Sequence, residues 1–185
     1  MVTIGMLWLP ILIATVLVFV ASNLVWMVLP HHKSDTRPLP DEPAAIDVLA
    51  RQGVKPGVYR FPWARSMAEM KDPAYLEKLK GPVGFVTVTP SGPFAMGKAM
   101  AGWIAYLVVM GVFVAYVTSR TLGADAPYLQ VFRVAGTVAI LAYSAAHVPD
   151  AIWWGKPWRN VATEVLDGVV YGLLTAGSFA GFWPR

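Results

Sequence analysis

The sequence predicts an all-α membrane protein: a bundle of four transmembrane helices, with a small α+β cap in the loop between the first and second. Three observations lead there. Of the 185 residues, 56% are hydrophobic and only 14% charged, where ordinary soluble domains carry about 25% charged residues. The charge is segregated: residues 1–30 have none, and 30–98 hold most of it. The apolar residues also fall in blocks of roughly 20, the length that crosses a bilayer core as a helix.

The first block, 7–29, reads LWLPILIATVLVFVASNLVWMVL. Pro10 falls in its first turn, where a missing N–H costs little. There is no basic segment before it and no small-x-small site after it, so a retained helix is expected rather than a cleaved signal. The second block, 99–119, lies between Lys98 and Arg120. The third, 128–148, is expected to close at Pro149, and its one charge, Arg133, is near enough to the start to snorkel. The fourth, 161–182, carries Glu164 and Asp167 in its first two turns. None alternates with period two, and in lipid the backbone must satisfy its own hydrogen bonds, so all four are expected as helices.

The loop 30–98 has recognisable punctuation. DEPAAIDVLARQG offers Asp41 as a cap, Pro43 in the first turn and Gly53 as a stop. DPAYLEKLKG repeats the recipe with Asp72, Pro73 and Gly81. GVYRF and GFVTVT read as short strands. Such a cap is small for independent stability and is expected to pack on the bundle or on a partner. Lys33, Arg37, Lys98, Lys156 and Arg159 fall on the side of this loop, against Arg120, Arg133 and Arg185 on the other. That bias places the loop in the cytoplasm and both termini outside, in a bacterial inner membrane.

Helical periodicity sorts the polar residues within the spans. Arg133, Thr137 and Ser144 share a face of the third helix with His147. Tyr171, Thr175 and Ser178 share a face of the fourth with Glu164 and Asp167. Trp8, Thr15, Ser22 and Trp26 line the first. Polar groups face lipid at a cost, so a buried polar stripe is expected. Gly168 and Gly172, and again Gly177 and Gly181, have the GxxxG spacing that lets helices approach closely.

One end of the bundle gathers the titratable groups. His31, His32 and Asp35 follow the first span, His147 and Asp150 close the third, and Glu164 and Asp167 open the fourth. Imidazole with carboxylate is a ligand set for zinc, iron or manganese, and two imidazoles from separate helices can ligate a b-type haem. The plainer expectation is a polar contact, with no cofactor. Asp167 lies roughly 9 Å along its helix at 1.5 Å per residue, so it needs a partner: Lys156, Arg159, His147 or a tyrosine hydroxyl. Trp153, Trp154 and Trp158 read as an interfacial aromatic belt, with Lys156 and Arg159 as positive anchors.

The absence of cysteine excludes disulfides, thiolate catalysis and Cys-ligated metals. The net charge of +4 comes without a dense basic run, so no nucleic acid is expected. GxSxG, HExxH and P-loop patterns are absent, and no catalytic residue is assigned.

The segments WLP, LPHHKSD, PLPDE, GPVGF, PSGP, AMGK, APYL and IWWGKPW, in this order, resemble a family of small four-helix bacterial inner-membrane proteins without an assigned function. The resemblance spans nearly the whole chain. It implies the helix count and loop order, and no reaction. The leading functional expectation is a non-enzymatic accessory subunit that binds a membrane protein partner or itself. The alternatives are a small-molecule, lipid or proton-handling protein using the polar stripe, and a haem- or metal-binding protein using the histidines.

Overall fold

A computed structural model describes residues 2–184 of the chain. It is mostly helical, and three helical stretches are long and apolar enough to cross a membrane: Ile4–Val28, Met96–Thr121 and Tyr128–Trp154. The chain divides into two compact units. One joins the N-terminal segment through Asp35 to the chain from Ala95 onward, and the other is Thr36–Phe94.

In the first unit, α1 (Trp8–Asn23) is entered through a 3-10 turn at Ile4–Leu7. Pro10 is buried in its first turn, as its missing N–H allows. The long helix α4 (Met96–Thr121) and α5 (Tyr128–Ser144) follow the second unit, then α6 (His147–Trp154) and α7 (Trp158–Gly181). The core runs through Leu7, Val18, Leu107, Val114, Val131, Ala135, Tyr143 and Phe179.

Small residues set the closest approaches. A Cβ at Gly168 would stand 2.7 Å from the Tyr143 carbonyl oxygen and collide with the Ser144 hydroxyl. One at Gly172 would stand 2.8 Å from the Ile140 nitrogen and collide with its side chain. The first GxxxG pair therefore presses α7 directly on the backbone of α5. The second is different: nothing lies within 4 Å of a Cβ built at Gly177 or Gly181. On α4, Gly111 meets Ile11 of α1, with a Cβ position 3.0 Å from its methyl.

The third apolar stretch departs from expectation. It does not end at Pro149: α5 stops at Ser144, and Pro149 sits in the first turn of α6. The first turn of a helix has no internal acceptors for its N–H groups, so proline is as suited to begin α6 as to end α5. Gly155 closes α6 in the left-handed region, at φ 70°.

The fourth stretch is a helix of 24 residues, α7, but it is not among the three apolar enough to qualify as spans. It packs on both α1 and α5 and buries Asn160, Asp167, Thr175 and Ser178. A helix walled by protein can carry polar residues that one facing lipid cannot, and this lowers its mean hydropathy.

In the second unit, α2 (Glu42–Arg51) begins at Asp41, whose carboxylate accepts from the Ala44 N–H at 3.0 Å. Asp72 caps α3 (Pro73–Lys78) in the same way through the Ala74 N–H at 2.7 Å. Gly53 stops the first of these helices with φ 63°. The strands β1 (Gly57–Phe61) and β2 (Gly84–Val88) pair antiparallel, with Tyr59 opposite Val86. Neither α2 nor β1 has a buried residue, and α3 has one, Tyr75. A two-stranded sheet with so little core is marginal by itself.

Candidate functional site

The first helix reaches the site through a change of winding. α1 gives way to a π-helical turn, Leu24–Val28, and the Leu29 N–H donates to the Leu24 carbonyl at 3.1 Å. Pro30 then opens a 3-10 turn, Pro30–His32. The wide turn followed by the tight one sets two adjacent histidines against α7.

His32 is buried between two carboxylates. Its Nε2 is 2.6 Å from Asp167 Oδ2, and its Nδ1 is 2.6 Å from Asp35 Oδ2. His31 Nε2 lies 3.2 Å from Asp167 Oδ1, so one carboxylate is shared by both rings. The Trp26 indole stacks on His32 with centroids 3.9 Å apart and planes 4° from parallel. Arg159 donates from Nη1 to Asp35 Oδ1 and from Nη2 to the His31 carbonyl, each at 3.2 Å. Asn160 donates from Nδ2 to the Asp35 carbonyl at 3.1 Å.

A neutral imidazole has one N–H, so only the imidazolium donates to both carboxylates at once. Burial acts to lower the pKa of His32, but the hydrogen bonds to Asp35 and Asp167 and the charges of the two carboxylates outweigh it, and the pKa is raised above 6.5. The two carboxylates then face an imidazolium and a guanidinium, which balances the charge of the cluster.

A second group joins α6 and the turn after it to Glu164 of α7. Lys156 donates from Nζ to both oxygens of Glu164 at 2.6 Å, and His147 Nδ1 is 3.2 Å from Glu164 Oε2. Asp150 stands at the edge, 3.8 Å from Lys156 Nζ.

The seven residues expected at one site are thus divided. His31, His32, Asp35 and Asp167 come together, while His147, Asp150 and Glu164 form a separate group around Lys156. The partners expected for Asp167 are corrected: Lys156 and His147 go to Glu164, Arg159 goes to Asp35, and Asp167 takes both histidines of the first helix. Lys156 and Arg159 are accordingly engaged in ion pairs. Trp153 and Trp158 remain exposed, and Trp154 is largely so.

The polar stripe is shorter than expected. Ser144, Tyr171, Thr175 and Ser178 are buried, but Arg133 and Thr137 are exposed. A 17-residue helix gives periodicity no means of telling which of its faces meets α7; packing at Gly136 against Ala176 decides it. Sequence reasoning missed Asn160 and the stacking role of Trp26. An amide in the first turn of an apolar helix was the available signal for the former. Trp26 was visible only as part of a stripe.

One ring nitrogen each of His31 and His32 and a carboxylate oxygen of Asp167 lie within 4.8 Å of one another, a set of donors that could hold a metal ion. His147 stands with Glu164 instead, apart from His31 and His32. Fold and site together define a largely helical chain with three helices of membrane-crossing length and a buried histidine–aspartate cluster. No family model, curated protein or solved structure matches it.

Proposed function

We propose that this is a four-span integral membrane protein of the bacterial inner membrane that catalyses no reaction and serves as an accessory or self-associating subunit. Its 30–98 loop faces the cytoplasm in this reading. The fourth span is α7, which at 1.5 Å per residue is about 36 Å long, enough to cross a hydrocarbon core of about 30 Å. Its carboxylates turn to partners inside the protein, so the cost of holding them at depth is reduced.

The observation that carries the association is the contrast between the two GxxxG pairs of α7. Gly168 and Gly172 are filled by α5, whereas Gly177 and Gly181 have open space where a Cβ would stand. Open small residues one helical turn apart suit close approach by another helix, from a second copy or a different protein. The titratable groups at the end of the bundle are engaged with one another in ion pairs and hydrogen bonds, an arrangement suited to holding the helices together.

Handling of a small molecule or proton is favoured by one feature. The Tyr171 hydroxyl is buried near Asp167 and Trp26 without a hydrogen bond of ordinary geometry. The line above it is closed, however: Thr175 donates to the Tyr171 carbonyl and Ser178 to the Leu174 carbonyl of their own helix.

The test is purification in mild detergent with mass measured by light scattering, for the parent and for a Gly177→Leu/Gly181→Leu variant. The parent is expected as an oligomer or with a reproducible partner, and the variant as a monomer of unchanged helix content. A monomeric, partnerless parent would overturn the reading.

A further inference from the structure

We infer that His31, His32 and Asp167 form a binding site for one divalent transition-metal ion of the zinc class, with Asp35 as the outer residue that orients His32.

The donors come from two segments more than 130 residues apart in the chain, the turn after α1 and the middle of α7, yet their ligand atoms lie within 4.8 Å of one another. Both imidazoles present the same atom, Nε2, to the same carboxylate. Two imidazole nitrogens and one carboxylate oxygen are donors suited to zinc and its first-row neighbours, and not to calcium or magnesium, which take oxygen.

What surrounds the donors strengthens the assignment. A histidine that ligates a metal commonly donates its other ring N–H to a carboxylate, which fixes the tautomer and aims the free nitrogen. His32 has this arrangement: Nδ1 is held by Asp35, and Nε2 faces the site. Asp35 is itself held by Arg159 at its side chain and by Asn160 at its carbonyl. The stacked Trp26 indole fixes the plane of the His32 ring. The site is thus preorganised at a residue with no need of such support if it were only a surface ion pair.

The spacing requires a small adjustment. Donors around a four-coordinate zinc, bound at about 2.0–2.1 Å, lie about 3.3 Å apart. His31 Nε2 stands 3.2 Å from Oδ1 of Asp167, close to this spacing; His32 Nε2 stands 2.6 Å from Oδ2 and must move away, and donors separated by up to 4.8 Å must draw together around the ion. Ligation takes the neutral imidazole, so the ion replaces the proton between His32 and Asp167, which is released. Three protein donors leave one position for water, and the His31 side chain, 32% exposed, gives that position a route to solvent.

The experiment titrates the metal-stripped, detergent-solubilised full chain with Co2+ as a spectroscopic probe and with Zn2+ in competition. One Co2+ per chain is expected, with the absorption of a low-coordinate nitrogen–oxygen site, displaced by Zn2+. His31→Gln, which spares the buried His32 contacts, should weaken binding at least tenfold. Asp35→Asn should weaken it about 10–100-fold, as loss of an outer-sphere partner does. His147→Gln, in the neighbouring group, should leave it unchanged. Absence of saturable binding to the folded parent, or binding lost in His147→Gln and kept in His31→Gln, would overturn the assignment.

Discussion

Asp167 is the residue on which the end of the bundle depends. It is 7% exposed and accepts from both histidines of the N-terminal segment. Asp167→Asn keeps the volume and removes the charge that faces His32. Loss of hydrogen bonds to a charged group costs about 1.5–3 kcal/mol, so the variant should unfold at a clearly lower temperature in detergent. Arg159→Ala is expected to cost under about 1 kcal/mol, because the guanidinium is mostly exposed and its ion pair is screened. Equal losses for the two variants would show that burial is not what gives the cluster its strength. At this scale the sequence was informative about residue type and poor about pairing. It marked Asp167 as needing a partner from its depth in the helix. It could not name His31 and His32, because a pairing across more than 130 residues depends on how α1 unwinds before it meets α7.

Among the elements, α7 is the one against which α1 and α5 pack, and its glycines separate two kinds of contact. Gly172→Ala would force a Cβ onto the Ile140 backbone, and overpacking of this kind costs about 1–3 kcal/mol. Gly177→Ala meets nothing within the chain and replaces the poorest ordinary helix former, so in the isolated monomer it should be neutral or stabilising by up to about 1 kcal/mol. Thermal unfolding followed by helical circular dichroism compares them. If Gly177→Ala is as damaging as Gly172→Ala, that face is occupied, and the association reading gains an occupant at Gly177. The caps at Asp41 and Asp72 and the strand pair were legible in advance because they are set by local chemistry: a carboxylate before a proline, a glycine at the stop, a short apolar run. The boundary at Pro149 was not, because proline is equally compatible with the end of one helix and the first turn of the next.

For the whole molecule, three helices long and apolar enough to cross a membrane predict that the protein stays with the lipid fraction through alkaline and high-salt washing. Topology reporters fused within 30–98 and at the C-terminus separate three spans from four: with α7 crossing, the C-terminus lies opposite the loop, and with α7 held on one face, it lies on the same side. A reporter pattern that places both on one side would remove α7 from the spans and leave the other three in place.

The sequence alone determined the apolar blocks of membrane-crossing length, the helical class and the local plan of residues 36–94, since these follow from apolar run length and from capping and turn chemistry within a few residues. Only the tertiary structure decided that α7 is packed against two other helices, that one GxxxG pair is filled and its copy open, and that seven candidate residues divide into two groups. Those outcomes depend on which helix faces meet, and helical periodicity defines a face without naming its neighbour.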